Sequence, residues 1–443
     1  MTAPQRLRRG TIALYAIGSL GTGGFGTLPG LVLVFYLTDT LGIAALAAGV
    51  LVTAAKIWDV IIDPVIGAQS DRSLARRGSR RPFMITGAIL LPVFFILTFA
   101  VPAGLSPVPA GLWVLFAFVA TATAFSMFQV PYIALPAELA SGYDARTTLV
   151  SARVVVLTFA ILLFGAGAPE IRDAFGADEH LGYLVMAVVA GLVIGGGMLV
   201  SSFVAPRGLV VDAPRVSIAE NYREGIASLR RSQPFRALLM TFLLQGLATG
   251  LMLAGAQYVA RWVLDDGVTI LFLSLIAPAL VFAPVWAVVA RRIGKERAFV
   301  VASVLFGVAA LAILGQLWVP GVWVYGPVAL AGAAYAGMQS LPMSMLPDVI
   351  SHDAHREGRE RSGVFGGMWT AGETTGMALG ATVLTIVLAV SGYIESVAGE
   401  TVVQPAGAIA GIIVAFSVVP AAIIALSLVT FARYPLRKAD VDR

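Results

Sequence analysis

The feature that most constrains the fold is a series of long, unbroken apolar runs, such as AILLPVFFILTFAVPAGL at residues 88–105. Crossing a hydrocarbon layer of about 30 Å takes roughly 20 apolar residues in a helix, which satisfies its own backbone hydrogen bonds there. A membrane β-barrel would instead show strands of about ten residues with alternating polarity. The runs are continuous, and 58% of the 443 residues are hydrophobic. The sequence therefore predicts an all-α, polytopic membrane protein.

Polar and Pro- or Gly-rich breaks divide the chain into twelve apolar segments. The longest break follows the sixth segment, which predicts an amino-terminal six-helix bundle at 1–205, a cytoplasmic central loop at 206–235 and a carboxy-terminal six-helix bundle at 236–443. A short amphipathic helix is expected in this loop at 218–229. The predicted segments are 11–38, 43–69, 83–104, 110–136, 148–168, 182–204, 236–262, 267–290, 298–318, 323–349, 363–392 and 404–432.

Basic residues are concentrated in alternate loops. The loop at 70–82 carries five arginines, whereas the opposite loops hold little beyond Arg172 and Arg261. Since positive charge in short loops marks the cytoplasmic side, both termini are predicted to be cytoplasmic, in an inner or plasma membrane. SDRSLARRGSRRP after the second segment is similar to ARRIGKER after the eighth, which favours two duplicated halves. This topology explains the basic residues without a nucleic-acid partner.

Several classes of site are missing from the sequence. There is no cysteine, and His180, His352 and His355 are predicted to lie in hydrophilic loops, so neither a thiolate metal site nor a histidine relay at membrane depth is expected. GTGGFG at 21–26 fits GxGxxG, but no strand precedes it, and small residues in an apolar helix allow close helix packing. P-loop, HExxH and GxSxG motifs are also missing. The sequence thus predicts neither an enzyme nor a cofactor.

The stretch KIWDVIIDPV places three charges in the second segment. Lys56, Asp59 and Asp63 are spaced i, i+3 and i+7, so they share one helix face. Each charge costs about 2.5 to 3.5 kcal/mol at the membrane centre, which predicts a polar interior around them. Two carboxylates about 6 Å apart repel by roughly 3 kcal/mol at an effective dielectric constant near 20. Such a pair favours a bound cation or a shared proton, with Lys56 neutralising one acid; the alternative is a triad that only fixes helix packing.

Two more charges lie inside predicted helices. Arg153, a few residues into the fifth segment, either holds a carboxylate or sugar hydroxyls through its planar fork or snorkels to the interface. Glu373, deep in the eleventh segment, is expected to face a central cavity, as a solute contact, a second proton site or a partner of Arg153. Neutral polar residues that either line a solute pathway or bond neighbouring helices are Ser126, Gln129, Gln245, Gln257, Tyr258 and Gln339.

Several stretches resemble one transporter family. KIWDVIIDPVIGAQSDRSLARRGSRRPF is similar to the second helix and following loop of the glycoside-pentoside-hexuronide:cation symporters, the melibiose permease family of the major facilitator superfamily. FYLTDTLG, QVPYIALPAELA, RTTLVSAR, LPDVISHD and GRERSGVFGGMW are further similar stretches, so the resemblance covers the full length. It implies two six-helix bundles, alternating access and a coupling cation, H⁺ or Na⁺.

The resemblance also implies roles for single residues. Asp59 and Asp63 match the family's cation-coordinating aspartates, and Ser126 matches a hydroxyl of the cation site. Arg153 matches an arginine near bound sugar. Ile62 stands where melibiose permease has an asparagine of the cation site. The loss of this oxygen weakens the case for Na⁺ relative to H⁺.

Other departures concern the solute. Gly23 and Gln129 stand where the family has acids that hold sugar, and Ile133 stands where an aromatic residue stacks on sugar. These replacements argue against a galactoside. The predicted substrate-binding set is Gly23, Gln129, Arg153, Gln339 and Glu373.

The leading interpretation is a symporter that couples H⁺ or Na⁺ to a small organic solute, and the first solute class considered is a sugar or glycoside. The protein is expected to be a monomer surrounded by lipid. The first alternative is a carrier of lysolipids or organic anions that uses Arg153 as an anchor. The second is a non-transporting membrane sensor or assembly factor on the same fold. The acidic pair Asp59 and Asp63 argues against this last alternative.

Overall fold

The computed structural model describes residues 7–140, 143–176, 178–208, 223, 229–357, 362–400 and 402–436. Within these residues the ordered structure is almost entirely helical, which confirms the predicted fold class. Most of the amphipathic helix predicted at 218–229 lies outside the described residues.

The amino-terminal half contains eight helices in its described residues, because two of its six spans are interrupted. A turn at Ile17 and Gly18 separates the two helices of the first span, and the π-helical turn Leu163–Gly167 separates the two helices of the fifth. The helices are α1 (Arg9–Ala16), α2 (Ser19–Phe35), α3 (Ala45–Arg77), α4 (Arg81–Phe99), α5 (Pro107–Leu139), α6 (Tyr143–Leu162), α7 (Ala168–Asp173) and α8 (Glu179–Ser202).

The carboxy-terminal half follows a similar plan. Its last span is divided at Ser417, and its first span ends in the π-helical turn Ala260–Leu264, as the first span of the other half ends in the π-helical turn Tyr36–Thr40. The main helices are α9 (Gln233–Val259), α10 (Val268–Ile293), α11 (Lys295–Ile313), α12 (Tyr325–Glu357), α13 (Ser362–Val390), α14 (Ala406–Phe416) and α15 (Val418–Phe431).

Eleven helical spans in the described residues are long and apolar enough to cross a membrane. They correspond to eleven of the twelve predicted segments, so the protein is a multi-pass membrane protein. The tenth predicted segment, 323–349, lies in α12, whose 33 residues are ample for a span. Polar residues such as Gln339 and Asp348 lower the hydropathy of α12, which explains why it is not among the eleven.

The three histidines lie at helix ends and not in loops. His180 is in the first turn of α8, whereas His352 and His355 are in the last turns of α12. The prediction of hydrophilic loops at these positions is corrected to this extent. The polar ends of long helices give the same sequence pattern as a loop.

The second span of each half ends at a glycine. Gly78 follows α3 with a φ of +67°, and Gly294 follows α10 with a φ of +91°. Residues with a Cβ rarely adopt these values, so glycine is favoured at both positions. Arginines fill the last turn of both helices, where the negative end of the helix dipole attracts them.

Packing divides the chain into two compact units. Each unit takes most of its residues from one half of the sequence and a short segment from the other half. The predicted bundle limits and central loop stay a prediction. Unit 1 is formed by residues 1–44, 54–218 and 395–401, and unit 2 by residues 45–53, 219–394 and 402–443.

Aromatic side chains fill much of the core of unit 1. The ring centroids of Phe95 and Phe25 are 6.5 Å apart, and those of Phe95 and Phe99 are 5.4 Å apart, both in edge-on contact. Phe99 also stacks on Tyr183 at 5.8 Å. All four rings are almost fully buried. This core fixes Phe25 of α2 next to the charged face of α3.

A short backbone clip joins the chain after α2 to the chain after α13 within unit 1. The Ser396 amide donates to the Thr38 carbonyl at 3.1 Å, and the Ala398 amide donates to the Thr40 carbonyl at 3.1 Å. These four residues form the clip. The two carbonyls belong to the π-helical turn Tyr36–Thr40, whose last carbonyls have no partner further along the helix.

Candidate functional site

Helix α3 brings Lys56 and Asp59 together. Lys56 Nζ lies 3.2 Å from Asp59 Oδ2. The same ammonium lies over the rings of Phe25 and Phe118, at 5.6 and 5.9 Å from their centroids, where the π electrons attract a cation. Lys56 is therefore held between α2 and α5 and balances the charge of Asp59.

Two carboxylate oxygens next to this ion pair lack a hydrogen-bond partner. Oδ1 of Asp59 and Oδ1 of Asp63 are buried, and neither has a partner among the described residues. The buried Ser126 hydroxyl on α5 is within reach of the Asp63 carboxylate. An unsatisfied buried carboxylate is costly. The arrangement therefore suits an occupant that brings positive charge, either a metal cation or a proton.

A hydrogen bond joins α3 to α5 close to Asp63 and Ser126. Trp58 Nε1 donates to Thr123 Oγ1 at 2.8 Å. Asp63 follows Trp58 by five residues on α3, and Ser126 follows Thr123 by three residues on α5. The bond therefore lies about one turn from the place where the carboxylate and the hydroxyl meet.

The oxygen set around the two acids is small. In the part of the chain that the structure describes, no group of three His, Cys, Asp or Glu residues could hold a metal ion. Ile62 lies between the acids in α3 and offers no oxygen. A Na⁺ ion would have the oxygens of Asp59, Asp63 and Ser126, whereas a proton needs one carboxylate oxygen. The geometry accepts both ions.

Gln129 on α5 lies against α2. Thr22 Oγ1 donates to Gln129 Oε1 at 2.7 Å, so the acceptor end of the amide is engaged and its NH₂ group can donate to a solute. Ile133, one turn further along α5, is 51% exposed. The structure thus offers a polar and an apolar group on neighbouring turns of α5.

Gly23 lies at a close contact between α2 and α6. A Cβ built on it would lie 2.6 Å from the Ala160 Cβ and 3.0 Å from the Leu157 carbonyl oxygen. This is the close helix approach expected for the GTGGFG stretch. Gly23 has a packing role here, and a solute contact by it stays a prediction.

Arg153 on α6 lies on an aromatic platform made of Tyr15, Phe128 and Tyr132. Tyr132 stacks on Tyr15 at 4.8 Å and on Phe128 at 5.0 Å. The Tyr132 hydroxyl donates to the Tyr15 carbonyl at 2.9 Å and shares a 3.0 Å hydrogen bond with the Ser19 hydroxyl. The guanidinium carbon of Arg153 is 5.2 Å from the Tyr132 ring centroid. Arg153 thus packs against the inside of unit 1.

The polar atoms around this guanidinium are incompletely satisfied. Arg153 Nε is buried without a hydrogen-bond partner among the described residues. The Tyr15 hydroxyl is close to Arg153, but it does not meet hydrogen-bond geometry with any described group. None of the ion pairs formed by described residues includes Arg153.

Unit 2 brings Gln339 and Glu373 together. Gln339 Nε2 on α12 donates to Glu373 Oε1 on α13 at 2.7 Å. Tyr335, one turn before Gln339, is close enough to interact electrostatically with Glu373. Gln245 is instead bonded to Ser303 at 2.9 Å between α9 and α11. Gln245 therefore has an interhelical role.

The sequence does not single out two ion pairs that the structure shows. In unit 1, Arg80 is 2.5 Å from Glu138 and 2.6 Å from Asp71. In unit 2, Lys295 is 2.5 Å from Asp348. Each cation follows the second span of its half; Glu138 lies near the end of the fourth span of its half, and Asp348 lies within the fourth span of the other half, α12. No local sequence pattern indicates these pairs, because their members lie 58 and 53 positions apart.

Known proteins similar to this chain are transporters. The family profile described as "MFS/sugar transport protein" matches residues 14–438. A glucuronide carrier protein homolog of Escherichia coli (strain K12) is 26% identical over 447 residues, which cover 98% of this chain and 93% of that protein. A putative glycoside/cation symporter of the same organism is 23% identical, with 97% and 92% covered. A sodium-dependent lysophosphatidylcholine symporter of Danio rerio is 23% identical, with 95% and 85% covered.

Solved structures agree on the fold. A proton dependent oligopeptide transporter has a TM-score of 0.68 at 13% identity, covering 96% of this chain and 98% of that one. A D-xylose-proton symporter has a TM-score of 0.65 at 13% identity, with 96% and 98% covered. These likenesses confirm the predicted major facilitator fold. The chain belongs to the MFS/sugar transport protein family, whose members are membrane transporters and not enzymes.

Proposed function

We propose that the protein is a cation-coupled symporter of a small organic solute, with a sugar or glycoside as the first class to test. The observation that carries this proposal is the pair of buried, unpartnered carboxylate oxygens of Asp59 and Asp63 beside Ser126. A relative described as a putative glycoside/cation symporter supports the solute class and the coupling.

The acids couple the two ligands through their charge. Without an occupant, Asp63 keeps a charge that Lys56 does not directly pair, and closing the protein around it is unfavourable. A cation at Asp63 removes this cost, so the loaded protein can pass between its two open states. Because binding free energies are linked, the cation raises solute affinity and the solute raises cation affinity, by about 5- to 150-fold for typical couplings.

Each unit, taken by itself, holds polar residues that are predicted solute contacts. In unit 1 these are Gln129 and Arg153, with Gly23 as the predicted neighbour. In unit 2 they are Gln339 and Glu373, which are hydrogen-bonded to each other. The amide and guanidinium groups donate and the carboxylate accepts, which suits the hydroxyls of a sugar.

The arginine-rich loops support a placement in the membrane. We propose that both termini are cytoplasmic and that the protein lies in the inner or plasma membrane as a monomer surrounded by lipid. The evidence for this orientation is the five arginines at 70–82, since positive charge in short loops marks the cytoplasmic side. Cysteine labelling of each terminus in intact and opened cells tests it.

Gradient-driven uptake tests the function. Purified protein in proteoliposomes is given labelled glycosides under an imposed Na⁺ gradient, an imposed pH gradient, or neither. We expect uptake above the external concentration under one gradient, and its loss when an ionophore removes that gradient. Uptake that merely equilibrates under both gradients would contradict symport and leave facilitated diffusion.

A lysolipid carrier is the second candidate, and two observations favour it. Ile133 is 51% exposed on α5, and a relative is described as a sodium-dependent lysophosphatidylcholine symporter. Competition of labelled glycoside uptake by lysophosphatidylcholine below its micellar concentration separates the two candidates. Full competition by the lysolipid, with none by unlabelled glycosides, would select the second.

A further inference from the structure

Arg81 lies at the edge of the membrane, because it is the first residue of the span Arg81–Phe99. Its amide donates to the Ser79 hydroxyl at 3.2 Å, which fixes the start of α4. Its guanidinium carbon lies 4.2 Å from the centroid of the Phe203 ring. Phe203 directly follows the span Glu179–Ser202. This cation–π contact therefore joins the start of α4 to the end of α8 at the depth of the lipid headgroups.

The charge of Arg81 is not balanced by an acid among the described residues. Arg81 belongs to none of the ion pairs that these residues form, and its Nε is buried without a hydrogen-bond partner among them. The preceding Arg80 differs, because it bonds both Glu138 and Asp71. The two acids found at this end of unit 1 are thus already engaged by Arg80.

A second arginine adds to the positive charge at this place. Arg207 is exposed and close enough to Arg81 for the two charges to interact. Like Arg81, it forms no ion pair with a described residue. Two neighbouring positive charges repel each other, and an anion held by both relieves this repulsion. Guanidinium groups also match the paired oxygens of a phosphate.

An apolar surface continues from the two arginines along α4 and α8. Phe203 is 53% exposed, and Ile89 on α4 and Leu192 on α8 are exposed further into the two spans. The helices themselves pack tightly, since a Cβ built on Gly195 would overlap Pro92. An acyl chain has no room between the helices at this contact and would lie along their exposed apolar side chains.

These features together favour a phospholipid over a free anion. The phosphate of a lipid lies at the depth of Arg81 and Phe203, and its acyl chains suit the exposed apolar side chains. Two arginines without acid partners suit a headgroup with net negative charge. A zwitterionic headgroup also brings an ammonium group, which the arginines repel.

We propose that Arg81, Arg207 and Phe203 bind the phosphodiester headgroup of an anionic phospholipid, whose acyl chains lie along α4 and α8. In the proposed orientation this lipid belongs to the cytoplasmic leaflet. The site uses other residues than the proposed cation and solute contacts, and it does not depend on symport. Two arginines near the membrane surface favour the anionic lipid over a zwitterionic one by about five- to thirtyfold in affinity.

Lipid titration of the purified full-length protein tests the proposal. The protein in neutral detergent is titrated with phosphatidylglycerol or with phosphatidylcholine of the same acyl chains, and native mass spectrometry gives the dissociation constant of the first bound lipid. We expect phosphatidylglycerol to bind about five- to thirtyfold more tightly. Inorganic phosphate and glycerol 3-phosphate lack acyl chains, so each should displace it only at concentrations at least about tenfold higher than that of the lipid.

Variants locate the preference at the two arginines. Arg81→Gln and Arg207→Gln should each lower the ratio of the two lipid affinities by about two- to fivefold, and the double variant should bring it to about one. Phe203→Ala should also lower the ratio, because the ring positions the Arg81 guanidinium. Arg292→Gln is the matched control, since it removes an exposed arginine from the last turn of α10. It should keep the full ratio.

Several outcomes would overturn the proposal. Equal affinity for the two lipids would do so, as would a preference that survives in the double variant or falls equally in Arg292→Gln. Displacement of phosphatidylglycerol by inorganic phosphate at the same concentration would indicate a site for free anions and reject the lipid. Thermal denaturation without added lipid checks that the variants are folded. If Arg81→Gln does not fold, Arg207→Gln decides alone, because Arg207 is exposed.

Discussion

In unit 1, Arg80 follows α3 and binds Glu138 near the end of α5; in unit 2, Lys295 follows α10 and binds Asp348 in α12. The helix before each cation ends at a glycine with positive φ. The two halves therefore repeat both the backbone turn and the ion pair at corresponding places. A duplicated scaffold would preserve these contacts in each copy.

The two halves differ in the charged side chains inside their membrane-spanning helices. Unit 1 holds the ion pair of Lys56 with Asp59, and also Asp63 and Arg153, neither of which forms an ion pair with another described residue. In unit 2, Glu373 accepts a hydrogen bond from a neutral amide. The repeated ion pairs hold the ends of helices together, whereas the acids proposed to bind the coupling cation, Asp59 and Asp63, are in one copy. Four substitutions test this division.

Asp63→Asn should have the largest effect. Asparagine keeps the shape of the side chain but cannot bind a proton or attract a cation, so the coupling, worth up to about 150-fold in affinity, disappears. The steady-state ratio of internal to external solute under a cation gradient measures it. Exchange of labelled for unlabelled solute, which needs no gradient, should continue. Normal accumulation by this variant would remove the coupling role from unit 1.

Arg80→Ala should be the most destabilising change at the helix ends. The side chains of Arg80 and Glu138 are 13% and 12% exposed, and loss of one member of a buried ion pair costs about 3 kcal/mol. Thermal denaturation of the purified protein measures it. Arg80→Ala combined with Glu138→Ala should be more stable than Arg80→Ala alone, because the buried carboxylate is then removed and Asp71, the other acid bonded to Arg80, is 40% exposed and can be hydrated. Equal stability of the two variants would show that the pair is not effectively buried.

Glu373→Gln should weaken solute binding and leave coupling intact. A neutral amide oxygen accepts the bond from Gln339 less strongly than a carboxylate, which predicts a loss of about 3- to 10-fold in apparent solute affinity. Uptake rates at several solute and cation concentrations separate the two effects. If cation dependence disappeared in this variant, the contrast between the units would fail.

Lys295→Ala should have the smallest effect. The side chains of Lys295 and Asp348 are 40% and 19% exposed, so water screens the pair, and its loss costs about 1 kcal/mol or less. The same denaturation measurement applies, with Lys295→Arg as the charge-preserving control. A loss as large as that in Arg80→Ala would mean that the two ion pairs are energetically equivalent.

The fold and the charged face of α3 could be predicted from the sequence. Apolar runs of about 20 residues leave few alternatives to membrane helices, and the spacing of Lys56, Asp59 and Asp63 is a local property of one helix. The role of Ser126 in the cation site follows only from the family resemblance, because no sequence spacing predicts which residues of α5 lie beside α3. The sequence also predicts the span in α12, although its polar residues lower its hydropathy below that of the eleven apolar spans.

The surroundings of Arg153 could not be predicted in the same way. Tyr15 and Tyr132 are separated by 117 positions, and aromatic residues in an apolar run are read as core residues. Arg80 and Glu138 are likewise 58 positions apart. Such contacts depend on how helices pack, which a single sequence does not encode in a local pattern.

The backbone clip has a consequence for sequence variation. Its two amide donors, those of Ser396 and Ala398, are present in every amino acid except proline, and its acceptors are carbonyls that every residue has. Most substitutions should therefore leave the clip intact, and the two segments can vary in sequence independently of one another. Loss or gain of a single residue would move the amide donors away from their carbonyl acceptors, so the length of this loop should be more constrained than the residue types in it.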